Sequence, residues 1–454
     1  MKKKLLFAAT ALVAVLAWSC SDDDKDPGGG GSQDVSTIAE LQSALNSGKT
    51  TVNLKNNLTA DANITIPKIY EENTMVKLTI PAAGKNVTVN QATSGGNSSF
   101  PVVDLHITTL NGLTVNTSNC NVHYTGDAQK ITASTAEEFV INKGSYVKQL
   151  AVSKGNAKVF GVVDAATNSG SGKLFLGIGE NSDRPAAADV IKNSMAVSWA
   201  QGLLLAEGSY NVRRNSTIPA SVGVGSASDL WYLPITKDGF EIVGDGERDD
   251  IIIYSDDYSA VSGVNTQNFI TVFASNVRIE GVTIQSKEAV NKAIEVRKDG
   301  FTLYNCAILP SDENITNHTN YAGSVMFSPG ATSGRIEKSY FKIGMVAFNS
   351  LLSGTFTVNG NSFDHVWGDN NSALATRNTE DINVSGSTLV VNGNENIFAN
   401  IPAYNSGTMT HAAIEVDYGT FTLANTTLPV GGVYHKVTGN GKLTLNGTYY
   451  TAPQ

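Results

Sequence analysis

Ile279-Glu280-Gly281-Val282-Thr283-Ile284 and, 24 residues later, Leu303-Tyr304-Asn305-Cys306-Ala307-Ile308 carry one pattern: apolar, any, Gly or Asn, any, any, apolar. It returns at Ile336 with Lys338 and Phe341, at Val358 with Gly360 and Phe363, and at Val384 with Gly386 and Leu389. Leu423 with Asn425 and Leu428, then Leu445 with Gly447 and Tyr450, complete the series. Successive offsets are 24, 33, 22, 26, 39 and 22 residues. A floor near 22 with variable additions describes a constant coil with loops of variable length. The pattern suits a strand with alternating inward and outward residues, a bend where Gly or Asn tolerates a left-handed backbone, and a second strand. Stacked coils set like residues about 4.8 Å apart, so Asn at a bend can hydrogen-bond along the stack. The rival is a β-sandwich with coincidental spacing, which has no need of one repeated Gly/Asn offset.

Composition agrees. The chain has 454 residues, with 43 Gly, 43 Asn, 12 Pro and only 16% charged residues. That favours many short strands joined by Gly/Asn turns and argues against a bundle, a coiled coil or a disordered tail. The expectation is an all-β chain with a parallel β-helix in its C-terminal part.

Residues 185 to 450 resemble the right-handed parallel β-helix of the pectin lyase-like superfamily. Ala186 to Ala200 reads as an amphipathic helix, with Val190, Ile191, Met195 and Trp199 on or near one face. Gly202-Leu203-Leu204-Leu205-Ala206-Glu207-Gly208-Ser209-Tyr210 follows, as a first strand follows a capping helix in that superfamily. Phe240-Glu241-Ile242-Val243-Gly244-Asp245-Gly246 and Ile251-Ile252-Ile253 resemble the opening coils of its pectin methylesterase branch. The Gln-Asp and Asp-Phe-Ile-Phe-Gly segments of those esterases do not follow Cys306, so the resemblance does not carry the esterase activity over.

Residues 35 to 175 repeat the logic on a smaller scale. Thr37 to Leu45 is a capping-helix pattern. Short strands are expected at Thr51 to Leu54, Ile64 to Ile66, Val76 to Ile80 and Val87 to Val89. Others are expected at Leu105 to Ile107, Phe139 to Ile141, Gln149 to Val152 and Lys158 to Val163. This N-terminal domain is a smaller β-solenoid or a β-sandwich. The boundary to the 176–454 domain falls within Ala165 to Pro185, rich in Gly, Ser and Asn.

The N-terminus reads as a targeting segment. Lys2, Lys3 and Lys4 precede an apolar run from Leu5 to Ala17, too short for a typical transmembrane helix. Ala17-Trp18-Ser19-Cys20 resembles a bacterial lipoprotein processing site, which makes 1–19 a signal peptide and Cys20 the lipidated residue. Residues 20–34 form a tether, Ser21-Asp22-Asp23-Asp24-Lys25-Asp26 followed by a Gly run. The acidic patch resembles the surface-export signal of lipoproteins in Bacteroidetes-type bacteria. The resemblance implies a lipid anchor in the outer membrane and display at the cell surface. Loss of three lysines with the signal leaves 29 basic against 41 acidic residues, a net of −12. Nucleic acid is excluded as a partner, since it needs clustered Lys/Arg. Strongly anionic glycans are disfavoured unless a local basic patch exists. Cys120 and Cys306, the other two thiols, read as buried small hydrophobes.

In pectin lyase-like enzymes the catalytic groups project outward from the sheet after the variable loop. Here its strands are expected at Ala293 to Arg297, Ser324 to Ser328, Met345 to Asn349, Ala373 to Arg377 and Ala412 to Asp417. Alternation turns Glu295, Arg297, Met326, Ala347, Ala375, Arg377, Glu415 and Asp417 outward, onto an exposed face. A glycoside hydrolase needs two carboxylates about 5 to 9.5 Å apart. Glu295 and Glu415 lie four coils apart on this reading, about 20 Å. Glu415 and Asp417 remain as a pair about 7 Å apart on one face, with His411 beside them. Sequence leaves the catalytic residues unknown; Glu415, Asp417, His365 and Arg377 are the weak candidates. No metal or cofactor site is expected, because the acidic pairs Asp249-Asp250 and Asp256-Asp257 sit in turns with adjacent residues pointing apart.

The loop Phe363-Asp364-His365-Val366-Trp367-Gly368-Asp369-Asn370-Asn371 combines a Trp, acids, a His and amides beside the functional face. Asp364, His365, Trp367, Asp369, Asn370 and Arg377 are the carbohydrate-binding expectation, since rings stack on sugars and Asp/Asn bond to hydroxyls. Tyr404 and His411 extend that surface. The leading expectation is a surface lipoprotein that binds carbohydrate or host surface without turnover. The alternatives are a polysaccharide lyase or glycoside hydrolase, and a structural spacer or adhesin.

Overall fold

A computed structural model describes residues 31–93, 100–213, 229–256, 266–286, 292–310, 321–364, 372–378, 381–406 and 411–453. The described residues are all-β apart from two short α-helices and a 3-10 turn. Helix α1 (Ile38–Asn46) opens on a capping box: Thr37 Oγ1 accepts from the Glu40 N–H, and Glu40 Oε2 accepts from the Thr37 N–H. It buries Leu41, Ala44 and Leu45. Helix α2 (Val190–Met195) is much shorter than the pattern over Ala186 to Ala200 suggests. Asp189, which precedes it, sits at φ 62°, a left-handed backbone that cannot extend the helix N-terminally.

Strands after residue 200 visit three sheets in rotation, which we term A, B and C. Glu241–Asp245 lies in A, Ile251–Tyr254 in B and Thr266–Val272 in C; Arg278–Glu280, Thr283–Ser286 and Lys292–Val296 then repeat the order. Each strand pairs in parallel with its counterpart one circuit later. One inward column of sheet A runs Ile279, Leu303, Ile336, Val358, Gly393, Leu423, Leu445. Six of the seven lead positions of the repeat are therefore its members, in order.

The seventh, Val384, is not; Gly393 stands in its place. A Cβ on Gly393 would lie 2.6 Å from Leu423 Cδ2, so a neighbour's side chain fills the space and the apolar signal disappears. The second strand of that circuit accordingly carries Phe398 rather than Leu389. Phe341, Phe363 and Phe398 stack with centroids 5.0 and 4.9 Å apart in sheet B. The final repeat also differs: Thr448–Thr451 folds back antiparallel on Lys442–Leu445 as a hairpin.

The bend from A to B is left-handed at Gly281, Asn305, Lys338, Gly360, Glu395 and Asn425. Four of these are the Gly or Asn that the geometry prefers. Lys338 and Glu395 adopt it against their steric preference. Glu395 is exposed, so Glu395→Gly should raise stability by about 1 kcal/mol, read as a higher melting temperature. A fall in melting temperature would contradict that account of the bend.

The N-terminal half is built the same way. Ser32–Val35, Thr51–Leu54, Met75–Pro81 and Val102–Thr117 pair in parallel, followed by Asn121–Ile141 and Tyr146–Val159. Ala62–Ile66 and Asn86–Gln91 start a second ladder that continues through the long strands to Val162–Asn168. Leu174–Ile178 pairs with Tyr146–Val159 on one side and Gly202–Ala206 on the other. Sheet A thus passes without interruption from the N-terminal half into the rest, and one apolar core extends from Val35 to Leu445. Antiparallel sandwich pairing is absent among the described strands of the N-terminal half.

Cys120 and Cys306 are buried and unpaired, and burial pushes both thiols up to about 12. In a chain starting at Ser21, a thiol reagent should label neither under native conditions and both after unfolding. Rapid native labelling of either would contradict their burial.

Candidate functional site

The face of sheet C turned away from the main core carries the chemistry. Its central column, fixed by register, runs Thr271, Glu295, Met326, Ala347, Ala375, Glu415, Lys436. Glu295 and Glu415 are four rungs apart, roughly 19 Å at about 4.8 Å per rung. Met326, Met345, Ala347 and Ala375 form an apolar cluster of their own, separate from the main core. This corrects the expectation of an exposed face: Glu295 and Glu415 are each 2% exposed, and the Ala residues not at all. Alternation assigns a side of the sheet; it carries no information about solvent on that side.

Glu295 is held by four donors. Asn268 Nδ2 (2.7 Å) and Arg297 Nη2 (3.1 Å) meet Oε2, while Lys292 Nζ (2.9 Å) and Ser328 Oγ (2.9 Å) meet Oε1. Burial alone pushes this carboxyl up, but Lys292 and Arg297 outweigh it and hold it below its usual range. Beside it, Asn268 Oδ1 and Thr271 Oγ1 are fully buried without a hydrogen-bond partner among the described residues.

Glu415 is the second knot. His411 Nδ1 (2.6 Å), Arg377 Nη1 (3.0 Å) and Ser372 Oγ (3.1 Å) converge on Oε2, and Lys436 Nζ lies 3.1 Å from Oε1. Arg377 Nη2 also donates to Ser372 Oγ at 3.3 Å. Burial again pushes the carboxyl up, yet the His411 hydrogen bond and the Arg377 charge bring it down to about 2. Neither carboxyl is a proton donor at neutral pH, and every oxygen of both has at least one donor against it.

The expected residues separate into three groups. Glu415, Arg377 and His411 meet in this knot. Asp417 lies just past strand Ile414–Val416, and its carboxylate accepts from Thr438 Oγ1. Asp364 ends strand Ser362–Asp364 of sheet B and accepts from Tyr340 (2.9 Å) and Asn400 (2.7 Å). Tyr404 is tied by its backbone N–H to Val433 O. His365, Trp367, Asp369, Asn370 and Cys20 lie outside the described residues.

Sequence reasoning missed Lys436, Ser372, Lys292, Asn268 and Ser328 as partners of the two carboxylates. Lys436 sits in His435–Val437, too short for an alternation signal, and only its register opposite Glu415 reveals it. Among the described residues no three His, Cys, Asp or Glu side chains gather as a metal site, and no helix is long and apolar enough to cross a membrane. Family models, curated proteins and solved structures offer no match to this chain.

Proposed function

We propose that the chain is a right-handed parallel β-helix of pectin lyase-like type, lipidated at Cys20 and displayed at the cell surface. In this reading it binds carbohydrate along its lateral surface and does not cleave it. Right-handedness follows the general preference of parallel strand crossovers. The observation that carries the functional reading is the state of the two carboxylates. Both are locked in ion pairs, roughly 19 Å apart across an apolar strip, where hydrolysis calls for a free acid and base at about 5 to 9.5 Å. The His411 and Lys436 side chains, each 27% exposed, form a polar rim at one end of that face. Arg377 and the Asp364 to Asn371 loop extend the proposed contact set.

The test is native affinity electrophoresis of the chain from Ser21 in gels containing different polysaccharides. Wild type, Trp367→Ala and His411→Ala run side by side, and each retarding glycan is assayed for new reducing or unsaturated ends. Retardation that either variant loses, without cleavage, is the expected result. Cleavage would move the reading to a lyase or hydrolase using Glu415, Asp417, His365 and Arg377. Absence of retardation by every glycan would leave a spacer or adhesin role.

A further inference from the structure

Away from sheet C, the second ladder of the N-terminal half carries a groove of about 470 Å³, within the ordinary range for ligand sites. Lys130 and Lys148 line it together with Asn86, Asn111, Thr114 and Thr132. No carboxylate is among the described residues of the lining, in a chain whose acidic residues exceed its basic ones by 9. Asp61 sits at the rim, accepting from the Asn86 N–H (2.9 Å) and Nδ2 (3.0 Å). Lys158, in the neighbouring ladder, pairs with Glu138 at 2.7 Å, whereas Lys130 and Lys148 have no such partner among the described residues.

The backbone builds the groove. Register places Asn86 opposite Gly112 and Gly112 opposite Lys130, so the middle position of that row has no side chain. A Cβ there would fall 2.7 Å from Asn86 Oδ1. Just before it, pairing shifts between Ile107 and Leu110, and Thr109 takes φ 50°, an outlier for a β-branched residue. Bulges of this kind re-aim side chains, and strained backbone concentrates where function needs it.

We propose that this groove binds an anionic polysaccharide. Lys130 and Lys148 take its carboxylate or sulfate groups, and the carboxamides and hydroxyls take its hydroxyls. This is the local basic patch without which so acidic a chain would repel such a glycan. The site extends the carbohydrate reading to a second surface and stands apart from the sheet C rim.

The chain from Ser21 would be passed over immobilised heparin, alginate and neutral dextran at low and physiological salt. Retention on heparin or alginate above dextran, falling with salt, is expected. Heparin alone would mark a sulfated ligand, and alginate as well a carboxylated one; either supports the site. Lys130→Gln and Lys148→Gln should each weaken binding about tenfold, the loss of one charge-assisted hydrogen bond. Lys154→Gln, an exposed lysine outside the groove, should leave it unchanged. Retention no greater than on dextran would overturn the proposal. So would a Lys130→Gln/Lys148→Gln double variant that binds like wild type, or an equal loss in Lys154→Gln. Loss of retention in His411→Ala but not in these lysine variants would place all binding at the sheet C rim instead.

Discussion

Glu415→Gln should destabilise the circuits around it by about 3–5 kcal/mol, the range for removing one partner from a buried ion pair. The neutral amide keeps the shape and removes the charge. Arg377, 8% exposed, is then left with neutral acceptors alone: the new carboxamide oxygen, Ser372 Oγ, its own neighbour's carbonyl and the Met345 sulfur. Lys436→Gln should cost about 1 kcal/mol or less, because that ammonium is 27% exposed and water can replace its partner. A Glu415→Gln/Arg377→Met double variant should lose less than the sum of its single changes, since the stranded cation leaves with the carboxylate. Rods of stacked circuits open locally, so the readout is hydrogen exchange in Leu374–Arg377 and Ile414–Val416. Exchange in Glu415→Gln within about 1 kcal/mol of wild type would sink the account of this knot.

The same group sets an acid limit. Its folded value of about 2 lies below the ordinary 4.5, so it contributes fully to stability above about pH 4.5. That contribution, about 3 kcal/mol at 1.36 kcal/mol per unit, disappears as the pH falls from 4.5 through about 2. The local exchange difference between wild type and Glu415→Gln should therefore narrow across that window. A difference independent of pH would assign the loss to packing.

Much of the architecture was legible because one constraint repeats. Each circuit needs an apolar residue, a left-handed bend and another apolar residue, so Ile279, Leu303, Ile336 and Val358 mark a column in the sequence itself. The pattern failed where a circuit met the constraint by other means. Gly393 borrows the Leu423 side chain, and Glu395 takes the left-handed bend without being Gly or Asn. The site was half legible. Alternation put Glu295 and Glu415 on one column at the right number of rungs. It said nothing of what encloses them, nor that Lys292 would arrive from the start of its strand and Lys436 from a strand of three residues, neither with a periodic signal. An ionised carboxylate with four donors and a free catalytic acid look identical in a sequence; only the partners separate them.

Asparagine at the bends gives the second large effect, and here the useful position is one residue later than the repeat indicates. Asn425, at the left-handed bend, donates to Asn394 Oδ1 at 2.9 Å on the exposed surface. Asn361 and Asn396, each just after the bend, are fully buried. Asn361 Oδ1 accepts from the Ser339 N–H (2.9 Å), and its Nδ2 donates to Ile336 O (2.8 Å) and Asn396 Oδ1 (3.2 Å). Asn396 repeats the arrangement one circuit on, accepting from the Asn361 N–H (3.1 Å) and donating to Val358 O (2.7 Å). The bend leaves Ser339 and Asn361 between strands, so their N–H groups meet a carboxamide in place of a ladder partner. Asn361→Ala therefore leaves the Ser339 N–H and the Ile336 carbonyl without these bonds. At about 1–3 kcal/mol for each of the two groups, the loss should total about 2–6 kcal/mol. Asn394→Ala, which breaks only the outer amide contact, should cost under about 1 kcal/mol because water takes its place. Denaturant unfolding of the two variants tests the contrast. Equal losses would mean that the inner amides merely fill space; a large difference would identify them as the groups that let the chain turn the corner inside its own core.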